Sequence, residues 1–154
     1  KPPVGNKCIY VDAEDFIVMV VGGPNQRRDF HYNESEEFFY QLEGDMVLRI
    51  VEDGVQKDIS IKEGDIYLLP PRIPHSPQRP ANTIGLVIEK VRSDTDKDGF
   101  LWFCDNCDMK LYEEYFKMED IVAQLPPIMN NFYSSKDLRT CKSCGAEMVP
   151  PNKG

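Results

Sequence analysis

The chain has 154 residues, a formal net charge of −8, and 41% hydrophobic and 29% charged residues. That length suits one main core built without disulfides, and the apolar run from Phe16 to Val21 is far too short to cross a bilayer. Nucleic-acid affinity comes from clustered Lys and Arg, so the acidic balance argues for no nucleic acid as partner, and the short apolar run for no membrane; a small anion stays open if a few arginines gather in a low-dielectric pocket.

From Phe16 to Lys90, β-branched and aromatic runs alternate with turn residues, the pattern of an all-β sandwich or barrel. Strands are predicted over 16–21, 37–42, 46–51, 55–61, 65–69 and 83–90. Glu52-Asp53-Gly54 is a short hairpin connection with a glycine available for positive φ, and Glu63-Gly64-Asp65 punctuates the next pair. Prolines at 70, 71, 74, 77 and 80 remove donors that a central strand needs, so a rigid loop or strand edge is expected there, carrying His75 and Arg79. Residues 93–99 form a polar connector. The expected division is a barrel over 1–92 and a C-terminal appendage over 93–154, packed as one structural unit. Apolar positions at Met118, Ile121, Val122 and Leu125 predict a helix over 118–125 that Pro126 and Pro127 end, with a second short helix over 127–133.

Five cysteines fit poorly with a secreted disulfide framework, because an odd count leaves one over. Four of them form Cys104-x2-Cys107 and Cys141-x2-Cys144, which can supply four thiolates to one tetrahedral metal, Fe or Zn. The competing readings are four inert thiols or a redox dithiol. A nucleic-acid zinc ribbon is disfavoured, since 108–140 holds four basic against six acidic residues. Cys8 stands outside both pairs and is expected to be a small buried hydrophobe. Unpaired thiols and the lack of a basic, then apolar start point to a cytoplasmic protein.

The sequence contains two histidines, His31 and His75. A lone histidine is more often a surface or hydrogen-bonded residue than a ligand, but the spacing around these is specific. His31-x5-Glu37-x6-Gly44 and Gly64-x5-Pro70-x3-Pro74-His75 resemble the two cupin motifs. The resemblance implies a mainly β fold, a cupin-type β-barrel or jelly roll, here with a small helical, four-cysteine C-terminal appendage. Asn33 stands where the first motif has its second His, Arg72 where the second has Gly, and Arg79 where it ends in Asn. What remains is His31, Glu37 and His75, two imidazoles and one carboxylate, a facial set that suits Fe(II) and leaves positions for substrate and O2. Glu36 is the rival carboxylate; adjacent strand residues face opposite ways, and Glu37 is the one that matches the motif.

At a finer level Val21-Gly22-Gly23-Pro24-Asn25, Glu37-Phe38-Phe39-Tyr40-Gln41-Leu42, Leu68-Leu69-Pro70-Pro71 and Pro74-His75-Ser76-Pro77-Gln78-Arg79-Pro80 resemble the 3-hydroxyanthranilate 3,4-dioxygenase family through the second Cys pair. The resemblance implies a cytosolic, homodimeric enzyme of tryptophan catabolism, on the kynurenine route to quinolinate and NAD. Such an enzyme opens the ring of 3-hydroxyanthranilate with O2 to give 2-amino-3-carboxymuconate semialdehyde. It also implies His31, Glu37 and His75 as iron ligands, Arg27, Arg79 and Glu89 as catalytic or substrate-binding residues, and Asn6, Phe39 and Pro77 as pocket residues. The four-cysteine site matches a second, non-catalytic metal in the shorter members. A guanidinium is a planar, permanently charged fork for a carboxylate, and Arg79 is assigned that task, with Arg27 adding a second contact or steadying bound oxygen and Glu89 orienting an arginine or taking a proton. The alternatives are a cupin oxygenase for another aromatic acid and a non-catalytic ligand-binding cupin.

Overall fold

The computed structural model describes residues 4–151. Two antiparallel sheets face each other. One has the order β1-β2-β9-β4-β7, from Gly5–Cys8, Phe16–Gly22, Ile84–Lys90, Glu37–Glu43 and Ile66–Leu69. The other runs β11-β10-β3-β8-β5-β6, from Lys110–Phe116, Asp98–Phe103, Phe30–Tyr32, His75–Gln78, Met46–Glu52 and Val55–Ile61. This is the mainly β, cupin-like architecture expected from the sequence.

Period-two alternation fixes which side chains face inward. Phe39, Leu48, Ile50, Ile61, Leu69 and Val87 meet between the sheets as the principal core, each 4% exposed or less. The β5–β6 hairpin turns through Asp53 and Gly54, both at positive φ, and this primed turn matches the right-handed twist of the strands.

The proline-rich stretch holds a short strand as well as loop. His75–Gln78 pairs with β5 in the register Leu48↔Pro77 and Ile50↔His75. Pro77 costs little there. Its carbonyl accepts from Asn25 Nδ2 at 2.8 Å, so its N and O face away from β5 and no ladder bond is lost.

Beyond residue 92, β10 joins the six-stranded sheet directly, pairing with β3 from Gly99↔Tyr32 to Leu101↔Phe30. A single helix, α1 (Ile121–Ser134), runs through both prolines where a break was expected, and α2 (Lys136–Arg139) follows. Pro126 and Pro127 remove donors to Val122 and Ala123, which are exposed, so water can serve those carbonyls. Burial decides the outcome. Ile128 and Phe132, on the far side of the prolines, pack with Phe100, Trp102 and Met148, and the Phe132 and Trp102 rings stack at 4.4 Å. Asp120 caps the start, its carboxylate accepting from Val122 N at 2.9 Å.

Cys8 is exposed on the edge strand β1, contrary to expectation, because that strand has a neighbour on one side alone. No helix among the described residues is long and apolar enough to cross a membrane.

Candidate active site

Three elements bring His31, Glu37 and His75 together. His31 on β3 pairs with His75 on β8, and Glu37 opens β4. Their donor atoms all lie within 4.8 Å of one another. Glu37 Oε2 is 2.7 Å from His75 Nε2, close to the roughly 3 Å expected between adjacent ligands on metal bonds of about 2.1 Å. His75 Nδ1 lies 2.9 Å from the Ile73 carbonyl. That bond places the ring proton on Nδ1 and leaves Nε2 as the donor to a metal. The residues therefore fit a bound metal. Glu36, just ahead of β4, is exposed.

Glu37 is almost fully buried, which raises a carboxyl pKa, yet the charge and hydrogen bond of His75 with help from His31 and Arg92 hold it down to about 2. Burial depresses His75 in turn, and Glu37 outweighs it, so the imidazole sits above its ordinary value. Phe39 is buried two residues along β4, with its ring edge-on to His75 at 6.4 Å. Pro77 is on the inner side of β8 opposite Leu48. Asn6 sits on the exposed edge strand opposite the inward Val21.

The two arginines singled out from the sequence differ in charge balance. Arg27 donates to Asp29 Oδ2 from Nη2 at 2.5 Å and from Nε at 3.2 Å. Burial pushes its pKa down, but Asp29 outweighs this and raises it. Arg27 also lines a groove of about 870 Å³ with Arg49, Ser76 and Gln78. These last three alternate along their strands with inward Leu48, Ile50, His75 and Pro77, so the groove lies on the outer face of the sheet. Arg79 is different. It is 3% exposed and pairs with no carboxylate among the described residues; Nη1 donates to Gln41 Oε1 at 3.2 Å and Nε has no partner. Burial pushes its pKa down to about 10, with Glu37 partly opposing and Arg27 adding to the drop. A buried guanidinium in this state has the charge and free donors to receive an anion.

Glu89 is opposite Glu37 across the β4–β9 pair and faces the same interior. Burial and the Glu37 charge raise its pKa, while Arg92 opposes them. Arg92 and Asp98, which sequence reasoning missed, join Glu89 and His31 in one network. Arg92 Nη1 bonds Glu89, and Nε and Nη2 grip Asp98 at 3.0 and 2.7 Å. Asp98 Oδ2 in turn meets His31 Nε2 at 2.6 Å. Arg92 immediately precedes the polar connector and Asp98 lies within it, where charged residues read as solvated surface; Asp98 preceding an aromatic run was the available signal.

The four cysteines form a second cluster, with Sγ atoms of Cys104 and Cys144, and of Cys107 and Cys141, 3.6 Å apart. Tetrahedral bonds of about 2.3 Å put sulfurs about 3.8 Å apart, so the cluster fits one metal. Both turns are built alike. Cys104 N donates to Met109 O and Cys141 N to Ala146 O, each at 2.8 Å, and Asp108 and Gly145 both take positive φ. Phe100 stacks on the His31 ring at 5.4 Å and on Phe116 of β11 at 5.9 Å, joining the histidine cluster to the core under the helix.

Residues 1–133 match the family model described as 3-hydroxyanthranilic acid dioxygenase. A protein of Xanthomonas oryzae pv. oryzae named 3-hydroxyanthranilate 3,4-dioxygenase is 56% identical over 145 residues, covering 94% of this chain and 81% of its own. Proteins of the same name from Xanthomonas campestris pv. campestris and Bacillus thuringiensis are 55% and 47% identical, covering 99% and 100% of this chain and 86% of each relative. Among solved structures, a cupin-2 domain protein from Shewanella frigidimarina is 18% identical with a TM-score of 0.47, covering 56% of this chain and 80% of its own. An RmlC-like cupin from Methanocaldococcus jannaschii is 21% identical with a TM-score of 0.46, covering 58% and 82%.

Proposed function

Because the chain belongs to the 3-hydroxyanthranilic acid dioxygenase family, we propose that it opens the ring of 3-hydroxyanthranilate with O2, using Fe(II) held by His31, Glu37 and His75. The bond between C3 and C4 breaks, and both oxygen atoms of O2 enter the product, 2-amino-3-carboxymuconate semialdehyde. The observation that carries the reading is Arg79, a buried guanidinium with an unpartnered Nε, in the same interior as the two-histidine, one-carboxylate cluster.

Fe(II), when bound, supplies a centre at which the aminophenol and O2 meet. The chain's residues do the rest. Arg79 receives the substrate carboxylate, which supplies the missing counter-charge. Phe39 flanks the ring. Glu89, whose pKa is raised by burial and by Glu37, takes the proton of the 3-hydroxyl, and Arg92 holds that carboxylate in place. Arg27 acts at the edge of the site with its charge balanced by Asp29. Asn6 and Pro77 complete the pocket wall. The four-cysteine cluster holds Fe or Zn as a staple for the C-terminal segment.

The reaction belongs to tryptophan catabolism leading to quinolinate and NAD, and the free thiols support a reducing, cytoplasmic setting. A homodimer is supported by the outer face of the five-stranded sheet. Phe38, Tyr40, Leu42, Ile66 and Leu68 lie side by side there, with Ile66 66% and Leu68 53% exposed. Ile66→Glu should yield monomers in sedimentation, and an unchanged mass would remove this interface.

Elemental analysis of His75→Ala tests the site. The variant should lose the metal of the histidine cluster and keep the thiolate-bound one; loss of both, or of neither, contradicts the assignment. A panel of substituted benzoates separates 3-hydroxyanthranilate from another aromatic acid as substrate.

A further inference from the structure

The inner face of β4 presents Glu37, Phe39 and Gln41 at alternate positions. Successive members stand about 6.8 Å apart along the strand, a spacing that places a metal ligand, a ring-flanking aromatic and a third group in line. The third group, Gln41, is 1% exposed, and neither the motifs nor the proposed reaction uses it. Its Nε2 donates to the Glu43 carbonyl at 3.2 Å, which turns Oε1 toward the interior, where it accepts from Arg79 Nη1 at 3.2 Å.

Gly85 is directly across from Gln41 on β9. A Cβ at that position would lie 2.7 Å from Arg79 Nη1, 3.3 Å from Nη2 and 2.8 Å from Gln41 Oε1. The separations of 2.7 and 2.8 Å are shorter than real contacts, so any larger residue must displace the guanidinium and the Gln41 amide that holds it. The backbone of Arg79 is fixed separately. Arg79 N donates to Asn25 Oδ1 at 2.9 Å, Asn25 N to the Arg79 carbonyl at 3.0 Å, and Asn25 Nδ2 to the Pro77 carbonyl at 2.8 Å. The asparagine of the Val21 to Asn25 string thus clamps the chain on both sides of the arginine.

We propose that Gln41, Gly85 and Asn25 are positioning residues that set the reach of Arg79 and thereby select a ring chelator bearing a carboxylate at a fixed distance from the metal. Asn25 fixes where the side chain starts. Gln41 holds one end of the guanidinium, and Gly85 leaves the space in which it lies. With Nη1 engaged and Nε and Nη2 free of protein partners among the described residues, the edge left for a carboxylate is defined by this holder. The inference rests on the reading of Arg79 as carboxylate receptor.

The test is equilibrium binding by calorimetry on the anaerobic, Fe(II)-loaded protein, comparing 3-hydroxyanthranilate with 2-aminophenol, the same chelate without the carboxylate. Gln41→Leu should weaken 3-hydroxyanthranilate about tenfold and leave 2-aminophenol within about twofold. Gln41→Glu, which supplies Arg79 with a competing carboxylate, should weaken it further, again selectively. Gly85→Ala should repeat the selective loss. Retained 2-aminophenol binding reports an intact fold and metal site in each variant. Equal weakening of both ligands by Gln41→Leu would overturn the proposal, since Gln41 would then serve structure alone. If the unmutated protein binds both ligands equally, the receptor role of Arg79 itself fails, and the proposal with it; selective loss in the variants separates the two cases.

Discussion

Replacing Arg79 by Met should separate stability from binding, with opposite signs. The guanidinium is 3% exposed, makes one side-chain hydrogen bond and has no counterion among the described residues. Its pKa, pushed down to about 10 by burial, corresponds to about 3 kcal/mol held against the charged form in the ligand-free protein. Met removes that cost and leaves Gln41 Oε1 without its partner, a loss of about 1 kcal/mol. The net gain is about 2 kcal/mol, a rise in Tm of roughly 5 °C for a chain of this size. Binding moves the other way. A lost charge-assisted contact to a carboxylate costs about 3 kcal/mol, or roughly 150-fold in affinity for 3-hydroxyanthranilate. Scanning calorimetry without ligand and steady-state kinetics on the same preparation measure both. A fall in Tm accompanied by equal losses for 2-aminophenol and 3-hydroxyanthranilate would refute the reasoning, since Arg79 would then be a structural residue.

Asp98→Asn puts an amide donor against Arg92 in either orientation and against His31 as well in one of them, and it removes the carboxylate charge, so metal affinity at the histidine site should fall about 10- to 100-fold by chelator competition, with the thiolate site unchanged. Because burial and Glu37 raise the Glu89 pKa, and a proton acceptor must be ionised, kcat/KM should decline on acidification with a limb above the ordinary carboxylate range. Glu89→Gln should abolish that limb and lower kcat by about 100-fold or more. Cys141→Ser should release the metal of the four-cysteine cluster and speed hydrogen exchange around Arg139 and Met148, whose backbones are bonded at 2.9 Å, while the histidine-site metal stays in elemental analysis.

The long strands were legible as β-branched and aromatic runs bounded by turn residues: the span predicted for 55–61 is Val55–Ile61 in the structure, and 16–21 grows by one residue to Phe16–Gly22. The short ones were not. Phe30–Tyr32 has too few residues to display a period, and Pro77 disguised His75–Gln78. Asp98–Phe103 is buried throughout, so it offers no alternation to read. The two prolines split one helix into two on paper, since local propensity omits the packing of Phe132 against Trp102. Within the site, motif spacing named the residues that the fold assembles at His31, Glu37 and His75. The Arg92 and Asp98 bridge depends on a turn that brings the end of β9 to the start of β10, and no local pattern encodes that meeting.

Oxygen uptake on the anaerobically purified chain, reconstituted with Fe(II) and then given 3-hydroxyanthranilate in air-saturated buffer, tests the central claim most directly. One O2 should be consumed per substrate molecule. Tight metal binding with no uptake, or uptake with a different aromatic acid alone, would contradict it.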